Sequence, residues 1–420
     1  MTTSINLPYG NSYITCNLPT SNVSHVLNSK HVPSLSNEAR SIRSALENPI
    51  ASPSLRNCVG KNDKIVIITT DNTRPCPDNS ILAVILNELD KIVPKHNITI
   101  LIGLGLHDPL SKEELAEKLG ERVVANYNVK NHDPAQTVHL GVTSFGTPVE
   151  VNSAIVEADF RISTGFIEPH FFAGYSGGRK AIAPGVSSVR AIRHNHSFTM
   201  IEHPNARTGI LVGNPVHEDM VEQARMAKLD FIVNVLLNAN RRITHIFAGN
   251  PWKAHEMGCA VVSEIAKVEI DHLVDISIIS NSGAPLDLDF YQTCKGIDTA
   301  SQITRNGGII IVASACIRGL GPDSFRFVHA SAVSPKAILE TLKESHNMGV
   351  SWQNQILARV QLNHSIYLLS TLDDDLVRQM KVIPIHTIEE GLEKALQVLG
   401  TKAEIAIIPE GPMIIPTVKN

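Results

Sequence analysis

Between Lys64 and Glu114 the chain twice repeats one unit: a short apolar run, a polar loop and a helix-like segment. KIVIITT, Lys64 to Thr70, is a β-branched run suited to a buried parallel strand. It ends in DNTRPCP, and a helix is predicted over Asn79 to Ile92. NITILIG, Asn97 to Gly103, is the next strand and ends in LGLH. The next helix opens at Ser111-Lys112-Glu113-Glu114, with acidic residues where the helix dipole favours them. Upstream, residues 1 to 22 alternate polar and apolar as in a hairpin, and Glu38 to Glu47 is helical with Ser36 as its cap. Downstream, strands are expected at Thr137 to Gly141, Pro148 to Asn152 and Ala158 to Ser163. A helix over His217 to Ala227 and a hairpin of Asp230 to Leu237 with Ile243 to Phe247 follow, then a helix over Pro251 to Ile265.

Near Asp271 the pattern starts afresh. LVDISIISN is a buried strand, followed by a polar loop, SGAPLDLDFYQTCKG, and a helix over Ile297 to Arg305. GGIIIVASA and Ser365 to Leu369 are further strands. Helices over Pro335 to Glu344, Trp352 to Leu362 and Ile388 to Leu399 lead to a strand at Glu404 to Ile408. Alternating units of this kind predict two doubly wound, Rossmann-like α/β domains, residues 1–268 and 269–420, with the active site in the cleft between them. In open α/β sheets the ligand crevice lies at the carboxyl ends of the strands, so Asp71, Thr73, Arg74 and His107 are expected to converge. Neither first strand is followed by G-x-G-x-x-G, which lowers the case for an ordinary NAD-dependent dehydrogenase.

Composition narrows the class. The formal charge is -4, against a nucleic-acid surface, and no apolar stretch reaches the roughly 20 residues that span a bilayer. Six scattered cysteines without a C-x-x-C pair point to reduced thiols and a cytoplasmic protein.

The densest chemistry lies in STGFIEPHFFAGYSGGRKAIAPGVSSVRAIRHNHS, Ser163 to Ser197. It carries His170, the glycine-rich turn Gly174-Tyr175-Ser176-Gly177-Gly178, then Arg179, Lys180, His194 and His196. Glycines let a ligand approach the backbone, and successive free N–H groups suit an anion. A nucleoside-triphosphate loop is excluded, because Arg179 replaces the second glycine and Ala181 follows the lysine. Arg74, Arg179 and Lys295 could bind carboxylate or phosphate, and His107 and His170 could carry protons. Two histidines serving opposite faces of one carbon are what a racemase requires. For a 2-hydroxy acid, direct removal of the α-proton is disfavoured by the adjacent carboxylate. Hydride loss coupled to hydroxyl deprotonation avoids that carbanion but needs an acceptor no side chain supplies.

FIEPHFFAGYSGGRK followed by HNHS closely resembles the nickel-dependent lactate racemase family. The resemblance extends through DNTRP, LGLH, YQTCKG and SWQNQILAR. It implies a racemase or epimerase of a small 2-hydroxy acid, acting through a 2-keto acid. The cofactor implied is a nickel-pincer nucleotide (pyridinium-3,5-bisthiocarboxylic acid mononucleotide) attached covalently at Lys180, with His196 on nickel. By the same resemblance His107 and His170 are the acid/base pair. Asp71, Asn72, Thr73, Arg74, Ser176, Gly177, Gly178 and Lys180 contact the cofactor. Arg74, Tyr291, Gln292, Lys295 and Trp352 bind the substrate. Expected partners are the 2-hydroxy acid and cofactor-biosynthesis proteins, with no nucleic acid or membrane. Asp108 stands where many relatives would carry a basic residue. A nickel or cofactor carrier is the alternative, but it would not need both histidines together with Gln292 and Lys295. A phosphate-ester enzyme using SGGRK as an anion cradle leaves His196 unexplained.

Overall fold

The computed structural model describes residues 1–344 and 352–419. Two six-stranded sheets form its frame, each flanked by helices. In the first, Ile65–Thr70 lies centrally, with Ile98–Gly103 and Asn128–Asn131 on one side. Phe160–Phe166, Phe231–Leu237 and Ile243–Gly249 lie on the other, and only the last pairing is antiparallel. Strand order therefore reverses between Ile65–Thr70 and Phe160–Phe166. That places a ligand crevice outside their carboxyl ends. Both strands are buried along almost their whole length, as their β-branched sequences require.

The second sheet is parallel throughout. Its order reverses between Val274–Ser280 and Ile405–Ile408. The loops after those strands bring Leu286 and Met413 against Glu168 and Pro169 of the first domain. No helix among the described residues is long and apolar enough to cross a membrane.

Several sequence expectations need correction. The expected 1–268 domain does not hold together as one packing unit. Val23–Val26 pairs with Ile405–Ile408 in the second sheet. The hairpin Thr2–Tyr9/Ser12–Pro19 buries Leu7, Cys16 and Leu18 against Ile276, Ile278 and Ile407. Local pattern identifies such strands but not a partner almost 400 residues away. The ribbon Thr137–Val142/Pro148–Asn152 stands apart from the main sheet. The cap of Glu38–Glu47 is Asn37, whose side chain accepts from Arg40 N, and not Ser36. The helix expected at Ile297 to Arg305 runs Phe290–Ser301, capped by Asp289, which accepts from Gln292 N at 2.7 Å. Tyr291, Gln292 and Lys295 thus stand on a helix and not in a loop. Ser351, first residue of SWQNQILAR, lies outside the described residues.

Candidate active site

Three neighbouring strands of the first sheet deliver the reactive groups at their carboxyl ends. Ile65–Thr70 runs into Asp71 and Arg74, Ile98–Gly103 into His107, and Phe160–Phe166 into Glu168 and His170. The second domain adds Tyr291, Gln292 and Lys295 from Phe290–Ser301 and Trp352 from Trp352–Gln361. All of these except Glu168 line one cavity of about 250 Å3, as do Ser176, Gly177, Gly178, Lys180 and His196. Asn72 and Thr73 do not. Asn72 donates outward to Glu114 at 2.9 Å, and Thr73 bonds Asp71 through both its N–H and its hydroxyl.

His107 is the open member of the histidine pair, with 44% of its side chain exposed. Its Nδ1 lies 2.5 Å from Asp71 Oδ2. Burial alone would raise the Asp71 carboxyl. The hydrogen bond and charge of His107, with the Arg74 charge and Thr73, instead bring it down to about 2. An ionised Asp71 fixes the His107 proton on Nδ1 and leaves Nε2 able to accept.

His170 is set differently. The N–H of Ala173 donates to its Nδ1 at 3.2 Å, so the neutral ring carries its proton on Nε2. That nitrogen lies 3.5 Å from Lys180 Nζ. Burial, then the charges of Lys180, Lys295 and Arg74, hold His170 well below its ordinary value. Burial followed by Arg179, Arg74 and Lys295 does the same to Lys180. That shift favours the neutral, nucleophilic form of the amine.

His196 is buried at the end of Val189–Asn195, which is capped by Ser188. Burial, then the Lys180 charge, brings it down to about 3, and its Nδ1 has no hydrogen-bond partner among the described residues. Phe172 packs edge-on against both His170 and His196, at 4.6 and 5.0 Å between centroids. Trp352 meets His196 from the second domain at 4.9 Å. This aromatic wall spans both domains.

The end of the cavity lined by Arg74 and Lys295 is cationic. Burial and the Arg74 charge bring Lys295 down to about 7, against the pull of Glu168, Asp289 and Asp71. Gln292 Oε1 and Gln353 Oε1 are buried without partners, and both residues line the cavity. Gln353 and Glu168 were not singled out from sequence. A glutamine next to Trp352 and a glutamate two residues before His170 were the available signals.

Arg179 is not part of the site. Its guanidinium is buried against Ala173 O, Gly177 O and His255. The glycine turn is likewise packed against protein and forms no open anion cradle. Gly178 N donates to Asn234 Oδ1 at 2.7 Å. A Cβ on Gly177 would meet Asn234 at 2.8 Å, and one on Gly178 would meet His255 at 2.7 Å. Both glycines also have positive φ, +75° and +53°. Their task is to hold Lys180 at the cavity wall.

The chain is similar to known proteins over almost its whole length. Residues 9–209 match the lactate racemase N-terminal domain and residues 270–415 the lactate racemase C-terminal domain. The lactate racemase of Thermoanaerobacterium thermosaccharolyticum is 37% identical over 98% of each chain. That of Lactiplantibacillus plantarum is 37% identical over 98% of this chain and 99% of its own. The structure of the T. thermosaccharolyticum apoprotein superposes with a TM-score of 0.95 at 36% identity, covering 99% of this chain and 100% of that one. A Thermotoga maritima protein, 18% identical, shares the fold at a TM-score of 0.70, over 91% of this chain and 98% of that one. The chain belongs to the lactate racemase family.

Proposed function

We infer that the protein racemises lactate or a closely related small 2-hydroxy acid. The observation that carries this reading is the pairing of two differently prepared histidines on one cavity with a cationic carboxylate site. His107, oriented by Asp71, accepts at Nε2; His170, oriented by the N–H of Ala173, faces the same cavity and serves as base when neutral and as acid when protonated. Arg74 and Lys295 hold the substrate carboxylate, with Gln292 as a further hydrogen-bond partner. Each histidine takes the hydroxyl proton of one enantiomer and returns a proton when the other is formed, through a 2-keto acid.

A nickel-pincer nucleotide, when bound, would supply the reversible hydride acceptor that no side chain provides. The residues present suit it. Lys180, its ammonium disfavoured by burial and its side chain lining the cavity, would hold it covalently. His196 offers a neutral imidazole, a good nickel ligand. Among the described residues no group of three or more His, Cys, Asp or Glu could hold a metal ion. Nickel at His196 would therefore draw its other donors from the nucleotide. Ser176, Gly177 and Gly178 would border that group, with Asp71 and Arg74 at its edge. We place the protein in the cytoplasm, and cofactor-biosynthesis proteins are its expected partners.

Single-turnover reactions of the loaded enzyme with each pure enantiomer test the assignment. His107→Ala and His170→Ala should both lose full racemisation by about 100- to 10,000-fold. Each should still form keto acid from one enantiomer, and a different one in each variant. Retention of the same enantiomer by both would show that one histidine does no proton transfer.

A further inference from the structure

The two histidines differ in how they reach water. For each molecule converted in one direction, one histidine gains the hydroxyl proton and the other gives one up. Before the next turnover the first must lose a proton to solvent and the second must regain one. His107 is exposed and can do this directly. His170 is enclosed by Phe171, Phe172 and Lys180, and a filled cavity would close its front.

Behind His170 lies a separate cavity of about 30 Å3, lined by Arg74, Glu168, His170, Lys180 and Lys295. That is room for one or two waters among polar partners. Glu168 also lines a third cavity, of about 270 Å3, between Leu236–Leu237 of the first domain and Leu286, Glu410 and Met413 of the second. Exposed Lys30, His31 and Arg241 border it. Glu168 therefore stands where the small cavity and the larger one meet. Glu168 lies just before the short ribbon Pro169–His170/Gly174–Tyr175, and it and His170 both line the small cavity. The Glu168 backbone is pinned, its N–H donating to Ser176 Oγ and its carbonyl accepting from Ser176 N, both at 2.9 Å. Its carboxylate makes no hydrogen bond and no ion pair within 4 Å among the described residues, although Arg74, Lys180 and Lys295 surround it.

We propose that Glu168 is the proton relay of His170, passing protons between its imidazole, through water in the small cavity, and the solvent side of the larger one. The relay moves only protons, and each one it gives to His170 is replaced from water. Burial raises the Glu168 carboxyl, against the pull of Lys295, Arg74 and Lys180. The proposal rests on the acid/base reading of His170.

Glu168→Gln keeps the shape and removes the titrating group. In loaded enzyme given one pure enantiomer, the variant should show a first turnover followed by a steady state at least tenfold slower than wild type. A small diffusible acid/base such as imidazole should restore the later turnovers. In the cofactor-free protein, the ring N–H of His170 should exchange with water more slowly in the variant, read by nitrogen-15 NMR. The relay is overturned if first and later turnovers fall by one common factor, if no loss occurs, or if imidazole restores nothing. Equal exchange rates in the two proteins overturn it as well. Failure of the underlying reading looks different: His170→Ala would then turn over continuously at the wild-type rate.

Discussion

His107 and Asp71 are joined by a 2.5 Å contact between Nδ1 and Oδ2, and the other oxygen of that carboxylate accepts from Thr73. Both oxygens of Asp71 are thus engaged by protein. That arrangement suits Asp71 to orient the His107 ring.

Asp71→Asn would present an amide to Nδ1 and release the tautomer. Loss of kcat/KM by about 100-fold or more is expected, with a change of His107 tautomer visible by NMR. Activity within tenfold of wild type would refute the orienting role. Because the folded-state carboxyl is depressed to about 2, its stabilising contribution is complete above the ordinary carboxyl range. It disappears as pH falls through about 2. Acid titration of the wild type against the variant, followed by circular dichroism, should show the stability gap closing in that window.

Lys180 should behave as a neutral amine. In cofactor-free protein near pH 7 it should react with a small amine-directed reagent ahead of the exposed lysines, as located by peptide mass mapping. Protein made alongside the cofactor pathway should carry added mass, absent from Lys180→Ala, while the two melt within a few degrees of each other. Preferential labelling of surface lysines would count against the buried neutral amine. A wild type with no added mass would remove the tether.

His196→Ala deletes a side chain whose Nδ1 bonds nothing among the described residues. Fold should survive, and nickel content and activity should fall together. Metal analysis returning wild-type nickel stoichiometry would rule out His196 as a ligand.

Lys295, brought down to about 7, should tie substrate binding to pH. Below that value it is charged and attracts a carboxylate; above it the amine is neutral and the attraction fades. KM should therefore rise with pH through the neutral range, and Lys295→Arg, charged throughout, should flatten the rise. An unchanged KM slope in Lys295→Arg would place the titration elsewhere.

The crevice was legible because its residues follow two strong signals: β-branched runs that end in polar loops, and a cluster of chemical groups between Ser163 and Ser197. Asp71, Arg74, His107, His170, Lys180 and His196 lie on one cavity for that reason. Partnership within the cluster was not legible. Arg179 looked like an anion-binding residue, yet it closes on Ala173 O and His255, which depends on packing from Pro251–Ala266. The helix at Phe290 was obscured because its cap, Asp289, sits in a segment rich in turn formers. Asn72 and Thr73 share a motif with Asp71 and Arg74, but the turn directs them elsewhere.

The crossing of residues 1–27 to the far sheet has a consequence for synthesis. The hairpin and Val23–Val26 leave the ribosome first, but the strand they border, Ile405–Ile408, leaves almost last. The first sheet can close meanwhile, since its strands all lie between Ile65 and Gly249. The amino-terminal segment must wait, with Leu7, Cys16 and Leu18 uncovered, until the second sheet forms. A chain halted before residue 405 would hold a closed first sheet and an unplaced, sticky amino terminus, an obvious handle for chaperones and proteases.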